Sequence, residues 1–401
     1  MLSLDQIKNL SRQSLSKIIL LVIDGLGGLP RPDTGKTELE TAQTPNLDLL
    51  ASDGICGMID PVSPGITPGS APGHLALFGY DPLKFIVGRG ILEALGIDFD
   101  AKHGDVAARG NFCTIDQNGL VIDRRAGRIS NEKNAELCKI LGNIVLSDIE
   151  LYVIPVKEHR FAVIFRGDKL SGDVSDSDPQ QVGLAPQAVI SLSPAAETVA
   201  RLANEFISKA KVMLSDNHPA NMVLLRGFSQ YPNLPTMAEI YKLNAAAIAA
   251  YPMYRGLAKL VGMNILDTGT SIEDEFDALI RNYADYDFFF IHVKKTDSAG
   301  EDGDFDAKVK IIEEVDALLP KIIRLEPDVL VVSGDHSTPA LLKGHSWHPV
   351  PTIIRSKWCR PDRVREFSET DCSSGALGRF PGVSVMTLAM ANALKLAKYG
   401  A

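Results

Sequence analysis

The sequence lacks any apolar run long enough to cross a bilayer, and it has no close cysteine pair and no excess of positive charge. A transmembrane helix needs about 20 predominantly apolar residues in a row. The first apolar run, residues 18–23, is far shorter, and it follows a mixed, charged segment over residues 1–17. These features predict neither a signal peptide nor a membrane span, so we expect a cytoplasmic protein with no membrane partner.

The cysteines are few and scattered. They lie at positions 56, 113, 138, 359 and 372, and no CxxC pair occurs among them. This spacing indicates neither a disulfide framework nor a thiolate zinc site. We therefore expect reduced, buried thiols.

Basic residues are outnumbered, with 41 Lys and Arg against 50 Asp and Glu and a formal net charge of −9. Nucleic-acid binding depends on a dense basic face, so this balance argues against a nucleic-acid partner. The charge balance is still compatible with a small anionic substrate, because a local basic pocket is enough to bind one. The 401 residues are sufficient for a large core and a smaller second domain, but they do not indicate an oligomeric state.

Three apolar runs are followed closely by side chains of metal-ligand type. The runs are residues 18–23 before Asp24, residues 288–293 before Asp297, and residues 328–332 before Asp335 and His336. Continuous runs of Val, Ile, Leu and Phe are typical of buried parallel strands, and open α/β sheets place their chemistry beyond the carboxyl ends of such strands. We predict an α/β fold with a mostly parallel sheet between helices, in which these acids converge.

The pattern changes character near residue 104. Strand-like and helix-like runs alternate after this point, at residues 111–115, 132–141, 151–156 and 161–165, before a polar stretch. The alternating strand and helix signals of the core resume at residues 222–225. We predict a core of residues 1–103 and 216–401, interrupted by a smaller inserted α+β domain of residues 104–215.

The sequence predicts two helix N-termini in the first hundred residues. Thr44 and Pro45 have the pattern of an N-cap followed by proline at the first helical position. A Pro/Gly-rich loop over residues 61–69 then leads to Ser70, at the N-terminus of a short helix closed by Gly79. Ser70 has the position of a simple N-cap. The same position suits a nucleophile that a metal activates, with the helix N-terminus stabilising a phosphate on its oxygen, and the two roles are compatible.

The densest cluster of ligand-type residues lies near the C-terminus. Asp335 and His336 are followed by His345 and His348, three of the eight histidines in the chain. Carboxylate and imidazole together suit Zn²⁺, Mn²⁺ or Co²⁺. The alternative is structural, because Asp-His pairs after strands can form turns and histidines can cap helices or fill cores.

Other acidic positions are less specific. Asp24 and Gly25 also form an ordinary turn signal, and residues 25–28 match a dinucleotide-binding loop poorly because its third glycine would fall at Pro30. Asp297 and Glu301 lie in a loop crowded with carboxylates, which either binds a cation or is simply solvated.

Ten motifs occur in a characteristic order along essentially the whole chain. They are LLVIDG at 20–25, DPVSPGITPGS at 60–70, HLALFGYDP at 74–82, GRG at 88–90, DRRAGR at 123–128, SDSDP at 175–179, LLRG at 224–227, DGDFDAK at 302–308, GDH at 334–336, and the segment 345–351. In these motifs the sequence resembles the archaeal type of cofactor-independent phosphoglycerate mutase, a family of the alkaline phosphatase superfamily. The resemblance implies an alkaline phosphatase-like, metal-binding core, with residues 104–215 as an inserted domain that binds the substrate.

The resemblance also implies a two-metal enzyme that interconverts 3-phosphoglycerate and 2-phosphoglycerate. The matching ligands of one ion are Asp24, Ser70, Asp335 and His336, and those of the other are Asp297, Glu301 and His345. Ser70 matches the serine that accepts the phosphoryl group and returns it to the other hydroxyl of the bound glycerate. Guanidinium groups bind phosphate and carboxylate bidentately, so arginines are the predicted substrate ligands. The candidates are Arg124, Arg125, Arg128, Arg160 and Arg226, for each of which a salt bridge or a domain contact is the alternative.

The sequence departs from the family pattern at several positions. Glu301 stands where the family usually has histidine, which favours Mn²⁺ or Mg²⁺ over Zn²⁺ at that position. Ala71 replaces the usual aspartate after the serine, and Leu279 falls where a downstream lysine is usual. We expect two divalent ions, Mn²⁺ first, with Mg²⁺, Co²⁺ and Zn²⁺ as alternatives. The departures leave open a metal-dependent phosphatase or phosphotransferase acting on another small phosphorylated metabolite, and a catalytically silent relative.

Overall fold

A computed structural model describes residues 2–400, which divide into two compact units. The first unit comprises the residues up to Ile86 and those from Leu234 onward, and the second comprises Val87–Asn233. No helix among residues 2–400 combines the length and the apolar character that a membrane span requires.

Thirteen strands and fifteen α-helices occur in residues 2–400. The strands are β1 (Ile18–Ile23), β2 (Ile55–Asp60), β3 (Val106–Ile115), β4 (Val121–Asp123), β5 (Glu150–Lys157), β6 (Arg160–Arg166), β7 (Met222–Gln230), β8 (Ala245–Ala249), β9 (Asn264–Ile265), β10 (Phe288–Val293), β11 (Val329–Ser333), β12 (Val350–Ser356) and β13 (Gly378–Pro381). The helices are α1 (Leu4–Leu10), α2 (Glu38–Thr41), α3 (Pro45–Asp53), α4 (Ser70–Leu77), α5 (Arg89–Gly96), α6 (Asn131–Leu141), α7 (Glu197–Met213), α8 (Met237–Tyr241), α9 (Pro252–Leu260), α10 (Ile272–Asn282), α11 (Lys295–Asp302), α12 (Phe305–Leu318), α13 (Pro320–Ile323), α14 (Glu369–Cys372) and α15 (Ser384–Asn392).

The first unit is built on an eight-stranded, mostly parallel sheet in the order β13-β2-β12-β11-β1-β10-β8-β9. The predicted strands β1, β10 and β11 lie side by side in parallel, and every residue in them is buried. Their ends are aligned, since Ile23 pairs with Val293 and Val22 pairs with Ser333. The residues that follow these strands therefore emerge at one edge of the sheet, and the predicted fold class is confirmed.

The second unit contains a five-stranded antiparallel sheet in which β3 is central. Strand β3 pairs with β4, β6 and β7, and β5 joins the sheet through β6. Helices α5, α6 and α7 pack against this sheet, and Phe112, Phe161 and Phe206 lie fully buried in its core. The unit is therefore α+β in composition.

The second unit is longer at both ends than the predicted insert of residues 104–215. At its C-terminal end, β7 pairs with β3 from Val106–Gln230 to Cys113–Met222, so the chain completes this sheet before it returns to the first unit. At its N-terminal end, α5 packs on β3 and β7, and a Cβ at Gly90 would lie only 2.1 Å from the Ala107 carbonyl oxygen. The apolar sequence of β7 resembles that of a strand in the first unit's sheet. Only its pairing with β3 shows that β7 belongs to the second unit.

Local predictions agree with the structure in most positions. Helix α3 begins at Pro45, as predicted, and α4 begins at Ser70. All five cysteines are free, but Cys359 is partly exposed, so the expectation that all of them are buried was wrong at that position. Cys359 follows the end of β12 in a turn, where its amide hydrogen-bonds to the Ser356 hydroxyl.

A buried carboxyl on α10 gives the first unit a measurable pH dependence. Glu275 is 4% exposed, and burial raises its pKa to about 8. Between the ordinary pKa of 4.5 and about 8, the unfolded chain releases a proton that the folded chain keeps. Stability should then fall as the pH rises through this window, by at most about 1.4 kcal/mol per pH unit from this group.

We predict that Glu275→Gln flattens this part of the stability profile, because the amide cannot release a proton. The measurement is the thermal midpoint at intervals from pH 5 to pH 8. Glu273→Gln is the matched control, since Glu273 lies on the same helix but is 61% exposed and pairs with Lys321. Parallel profiles for wild type and Glu275→Gln would contradict the prediction.

Candidate functional site

Ligand-type side chains converge at the carboxyl edge of the first unit's sheet, as predicted. Asp24 follows β1, Asp297 lies in the first turn of α11 after β10, and Asp335 and His336 follow β11. All four residues are fully buried. Two sets of potential ligand atoms, each within 4.8 Å of one another, occur here: Asp24 with Asp335 and His336, and Asp297 with His336 and His345.

The first of these sets surrounds the Nε2 atom of His336. This nitrogen lies 3.3 Å from Asp24 Oδ1, 3.1 Å from Asp335 Oδ2 and 3.3 Å from the Ser70 hydroxyl oxygen. Asp24 Oδ1 and Asp335 Oδ2 are buried, yet neither makes a hydrogen bond. Buried polar atoms are rarely left without partners, so these oxygens have the character of ligands for a cation.

The second set surrounds His345. Its Nδ1 donates to the Pro68 carbonyl at 2.9 Å, which leaves Nε2 facing Asp297 Oδ1 at 3.5 Å and Glu301 Oε1 at 3.8 Å. The His345 ring stacks on His336 with 3.7 Å between centroids. His336 therefore lies next to both predicted ion positions, while Glu301, whose side chain is 54% exposed, lies at the rim.

Ser70 is the first residue of α4, and Gly69 is the residue that precedes the helix in an extended conformation. Ser70 is therefore not an N-cap, and its hydroxyl is directed towards His336 instead. Helix α4 packs tightly on the Asp335 loop, because a Cβ at Gly73 would lie 2.2 Å from the Asp335 carbonyl oxygen. His74, one turn along, donates from Nδ1 to the Ser70 carbonyl at 2.8 Å.

The sequence analysis missed three charged or polar residues of this site. Lys294 forms ion pairs with Asp297 and, at 3.3 Å, with Asp24, and His292 Nε2 donates to Asp24 Oδ2 at 3.0 Å. His74 lies 3.1 Å from Asp335. Two features of the sequence could have indicated these residues: the histidines stand within otherwise apolar runs, and the lysine stands three residues before Asp297.

The buried charges influence one another strongly. Burial alone would raise the pKa of Asp24, but the hydrogen bond from His292 and the charge of Lys294 outweigh it and lower that pKa. Burial and the neighbouring Asp24 raise the pKa of Asp335 well above its usual range. Burial also lowers the pKa values of His74 and His292 to about 4, so both imidazoles are neutral at pH 7.

Two further sequence features do not join the site. His348 belongs to neither ligand set, since its Nδ1 bonds to the Ser346 hydroxyl at 3.0 Å and its ring stacks on Trp347. The glycine-rich turn after Asp24 is crowded by protein atoms, because Cβ atoms at Gly27 and Gly28 would clash with the side chains of Ser337 and Glu38. Close packing explains these glycines without a dinucleotide.

The second unit contains a basic pocket of about 470 Å³. All five predicted arginines line it, and so do further cationic or polar residues that the sequence analysis missed. The lining residues are Arg109, Asn111, Arg124, Arg125, Arg128, Lys157, Glu158, His159, Arg160 and Arg226. These residues come from two of the motifs and from segments outside them, and they meet because β3, β6 and β7 are neighbours in one sheet.

The pocket holds more positive than negative charge. Asp178 binds Arg124 at 2.7 and 3.0 Å and lies 3.7 Å from Arg226, while Glu93 pairs with Arg109. Burial and the neighbouring Arg109 and Arg89 lower the pKa of Arg226, and its Nε makes no hydrogen bond. Guanidinium N–H groups that make no hydrogen bond within the protein are suited to binding a small anion.

Fold and cluster together define an α/β protein that gathers carboxylate and imidazole ligands at the carboxyl edge of a mostly parallel sheet. The family model of 2,3-bisphosphoglycerate-independent phosphoglycerate mutase matches residues 51–221. A probable mutase of that name from Thermotoga neapolitana is 54% identical over 388 residues, 96% of either chain, and one from Thermus thermophilus is 50% identical over 400 residues, 98% of either chain. The chain belongs to this family.

Solved structures agree with this assignment. The cofactor-independent phosphoglycerate mutase from Thermoplasma acidophilum is 31% identical, with a TM-score of 0.73 over 94% of this chain and 100% of that one. A protein from Pyrococcus horikoshii is also 31% identical, with a TM-score of 0.84 over 98% of this chain and 100% of that one. The resemblance identified from the sequence motifs is confirmed.

The unpartnered carboxylate oxygens predict binding of a divalent cation that depends on Asp335. Mn²⁺ should raise the thermal midpoint of the wild type, since a ligand that binds only the folded chain stabilises it. Asp335→Asn should weaken Mn²⁺ binding by about tenfold or more. Without added ion the variant should be at least as stable as wild type, because it loses a repelling buried carboxyl.

Asp302→Asn is the control for this prediction. Asp302 ends α11 in the same acidic segment, but it is exposed and belongs to neither ligand set. Calorimetric titration with Mn²⁺ and thermal midpoints measure both variants. Equal effects of the two substitutions would mean that the segment attracts cations only through its general negative charge.

Proposed function

We propose that this chain interconverts 3-phosphoglycerate and 2-phosphoglycerate through a phosphorylated Ser70 at a site for two divalent cations. Membership of the mutase family supports the reaction. The observation that carries the proposal is the position of the Ser70 hydroxyl, 3.3 Å from His336 Nε2 beside carboxylate oxygens that have no hydrogen-bond partner.

The two ligand sets divide the proposed metal-binding residues between them. We assign Asp24, Ser70, Asp335 and His336 to one ion and Asp297, Glu301 and His345 to the other. The mixture of carboxylates and imidazoles favours Mn²⁺, with Mg²⁺, Co²⁺ and Zn²⁺ as alternatives. Bound there, divalent cations would lower the pKa of the serine hydroxyl and neutralise charge on the transferring phosphoryl group.

The residues of the chain itself would supply position and charge. Ser70 Oγ loses its proton and forms a bond to phosphorus as the substrate's P–O bond breaks, and the freed glycerate oxygen gains a proton. Transfer to the other glycerate hydroxyl reverses these events. A phosphate on Ser70 would lie at the N-terminus of α4, where the helix dipole stabilises negative charge, and Lys294 adds a positive charge beside Asp24 and Asp297.

We assign the basic pocket of the second unit to the anionic groups of the substrate. Arg124, Arg125, Arg128, Arg160 and Arg226 provide the bidentate donors that carboxylate and phosphate require. Such a substrate is a small phosphorylated carboxylate, which also agrees with the cytoplasmic location predicted from the sequence. Retaining the glycerate between the two transfers would prevent its loss to water.

A metal-dependent phosphatase or phosphotransferase is the second candidate function. The observations that favour it are Ala71, which places no carboxylate after Ser70, and the exposed position of Glu301. Product analysis from 3-phosphoglycerate with Mn²⁺ separates the two functions. Formation of 2-phosphoglycerate indicates the mutase, whereas inorganic phosphate as the main product indicates hydrolysis.

Ser70→Ala tests the covalent intermediate. The variant should lose labelling by substrate carrying radioactive phosphate, and its turnover should fall by several orders of magnitude, because no other group replaces the nucleophile. Ser63→Ala is the control, since Ser63 lies in the loop that leads to α4. Labelled protein recovered from Ser70→Ala would rule out this serine as the phosphate acceptor.

Arg226→Lys tests the basic pocket. Lysine keeps the charge but loses the planar, bidentate donor, so KM should rise by about tenfold with a smaller change in kcat. Arg201→Lys is the matched control, because Arg201 lies on α7 of the same unit, does not line the pocket, pairs with Glu205 at 3.7 Å and is 56% exposed. Steady-state kinetics with 3-phosphoglycerate should show the change in Arg226→Lys alone.

A further inference from the structure

The hydroxyl of Thr338 lies between the two ligand sets and contacts a member of each. Its Oγ1 donates to Asp297 Oδ1 at 2.6 Å and lies 2.9 Å from His336 Nδ1. Thr338 is fully buried, so water does not compete for these contacts. The resemblance to the mutases implied no role for this residue.

The single hydrogen of the hydroxyl determines the direction of both bonds. Asp297 Oδ1 accepts the hydrogen bond from Thr338, so the one hydrogen of the hydroxyl is used in that bond. The hydroxyl oxygen can then only accept from His336, which requires a hydrogen on Nδ1. In the neutral imidazole this tautomer leaves the lone pair on Nε2.

The lone pair on Nε2 is directed into the first ligand set. Asp24 Oδ1, Asp335 Oδ2 and the Ser70 hydroxyl all lie within 3.3 Å of this nitrogen. The opposite tautomer would place a hydrogen there and block coordination of a cation. The Thr338 hydroxyl therefore favours the tautomer that a metal site needs.

The backbone of Thr338 is held from several directions. Its amide donates to the Gly27 carbonyl at 3.1 Å, and the fully buried Lys308 donates to the carbonyls of Thr338 and Gly27 at 2.9 and 3.0 Å. A Cβ at Gly300 would lie 2.3 Å from the Thr338 carbonyl oxygen, so α11 also packs directly on this residue. These contacts leave the hydroxyl little freedom to turn away.

We propose that Thr338 is a positioning residue, which sets the tautomer of His336 and the orientation of Asp297 and thereby couples the two ligand sets. The inference rests on the proposed metal site. One shared hydroxyl would then hold the geometry of a carboxylate on α11 and of an imidazole that follows β11. Groups that orient metal ligands in this way typically change metal affinity by about 10- to 100-fold when they are removed.

The test compares Thr338→Val, which removes the hydroxyl at nearly constant shape, with Thr338→Ser, which keeps it. Thr114→Val controls for the loss of a buried threonine hydroxyl elsewhere, because Thr114 is 2% exposed and bonds to the Pro219 carbonyl in the second unit. Two readouts are independent of turnover. They are the ¹⁵N shifts of the His336 ring in chelator-treated protein, and the Mn²⁺ affinity from calorimetry and electron paramagnetic resonance.

Wild type, Thr338→Ser and Thr114→Val should show the Nδ1–H tautomer of His336 and similar Mn²⁺ affinities. Thr338→Val should gain the Nε2–H tautomer and bind Mn²⁺ about 10- to 100-fold more weakly. If Thr338→Val does not fold, comparison of wild type with Thr338→Ser and with Thr338→Ala by the same readouts decides the question.

An unchanged tautomer and affinity in a folded variant without the hydroxyl would overturn this inference while leaving the metal site intact. Absence of Mn²⁺ binding to the wild type would instead contradict the proposed function. The two failures are therefore distinguishable.

Discussion

The first unit depends on accommodating three carboxylates buried at one edge of its sheet. Two like charges 4 Å apart repel by about 4 kcal/mol at the effective dielectric of a protein, and burial removes the water that would screen them. Asp24, Asp297 and Asp335 nevertheless converge, because β1, β10 and β11 are adjacent, parallel and aligned at their ends. The topology creates the repulsion, and the surrounding side chains have to offset it.

Each carboxylate has its own compensating partners. Asp24 receives a hydrogen bond from His292, Asp297 receives one from Thr338, and Lys294 lies between these two acids. The backbone amide of Gly25 and the ring of His74 face Asp335, whose raised pKa shows that this compensation is incomplete. A site that is partly neutralised by protons and an ammonium has the charge balance that favours a divalent cation.

The sequence predicted the features that follow from short-range patterns. Continuous apolar strands ending in Asp24 and Asp335 indicated a parallel sheet and a shared edge, and the apolar spacing after residues 61–69 placed Ser70 at the start of a helix. Lys294 and His292 were not predicted, because both contact Asp24, which lies in a distant part of the sequence. The strand β7 was misplaced for the same reason, since its apolar run fits either sheet and only pairing with β3 decides. Four of the five predicted arginines lie in the motifs, and Arg160 lies outside them. The contribution of Arg109 and His159 to the same pocket depends on strand register.

The two ligand sets differ in solvent access, and this difference bears on which cation each can hold. Asp24, Asp335 and His336 are fully buried, whereas His345 and Glu301 expose 21% and 54% of their side chains. A buried set has to match the charge and geometry of its ion with protein atoms alone. An exposed carboxylate leaves space for water, and Mg²⁺ keeps several waters in its shell while oxygen ligands also suit Mn²⁺. Within the proposed two-metal site, the replacement of the family's usual histidine by Glu301 therefore changes the outer ion much more than the inner one. Under this proposal, selectivity among ions would reside at the rim, while the buried set around His336 lies next to the Ser70 hydroxyl.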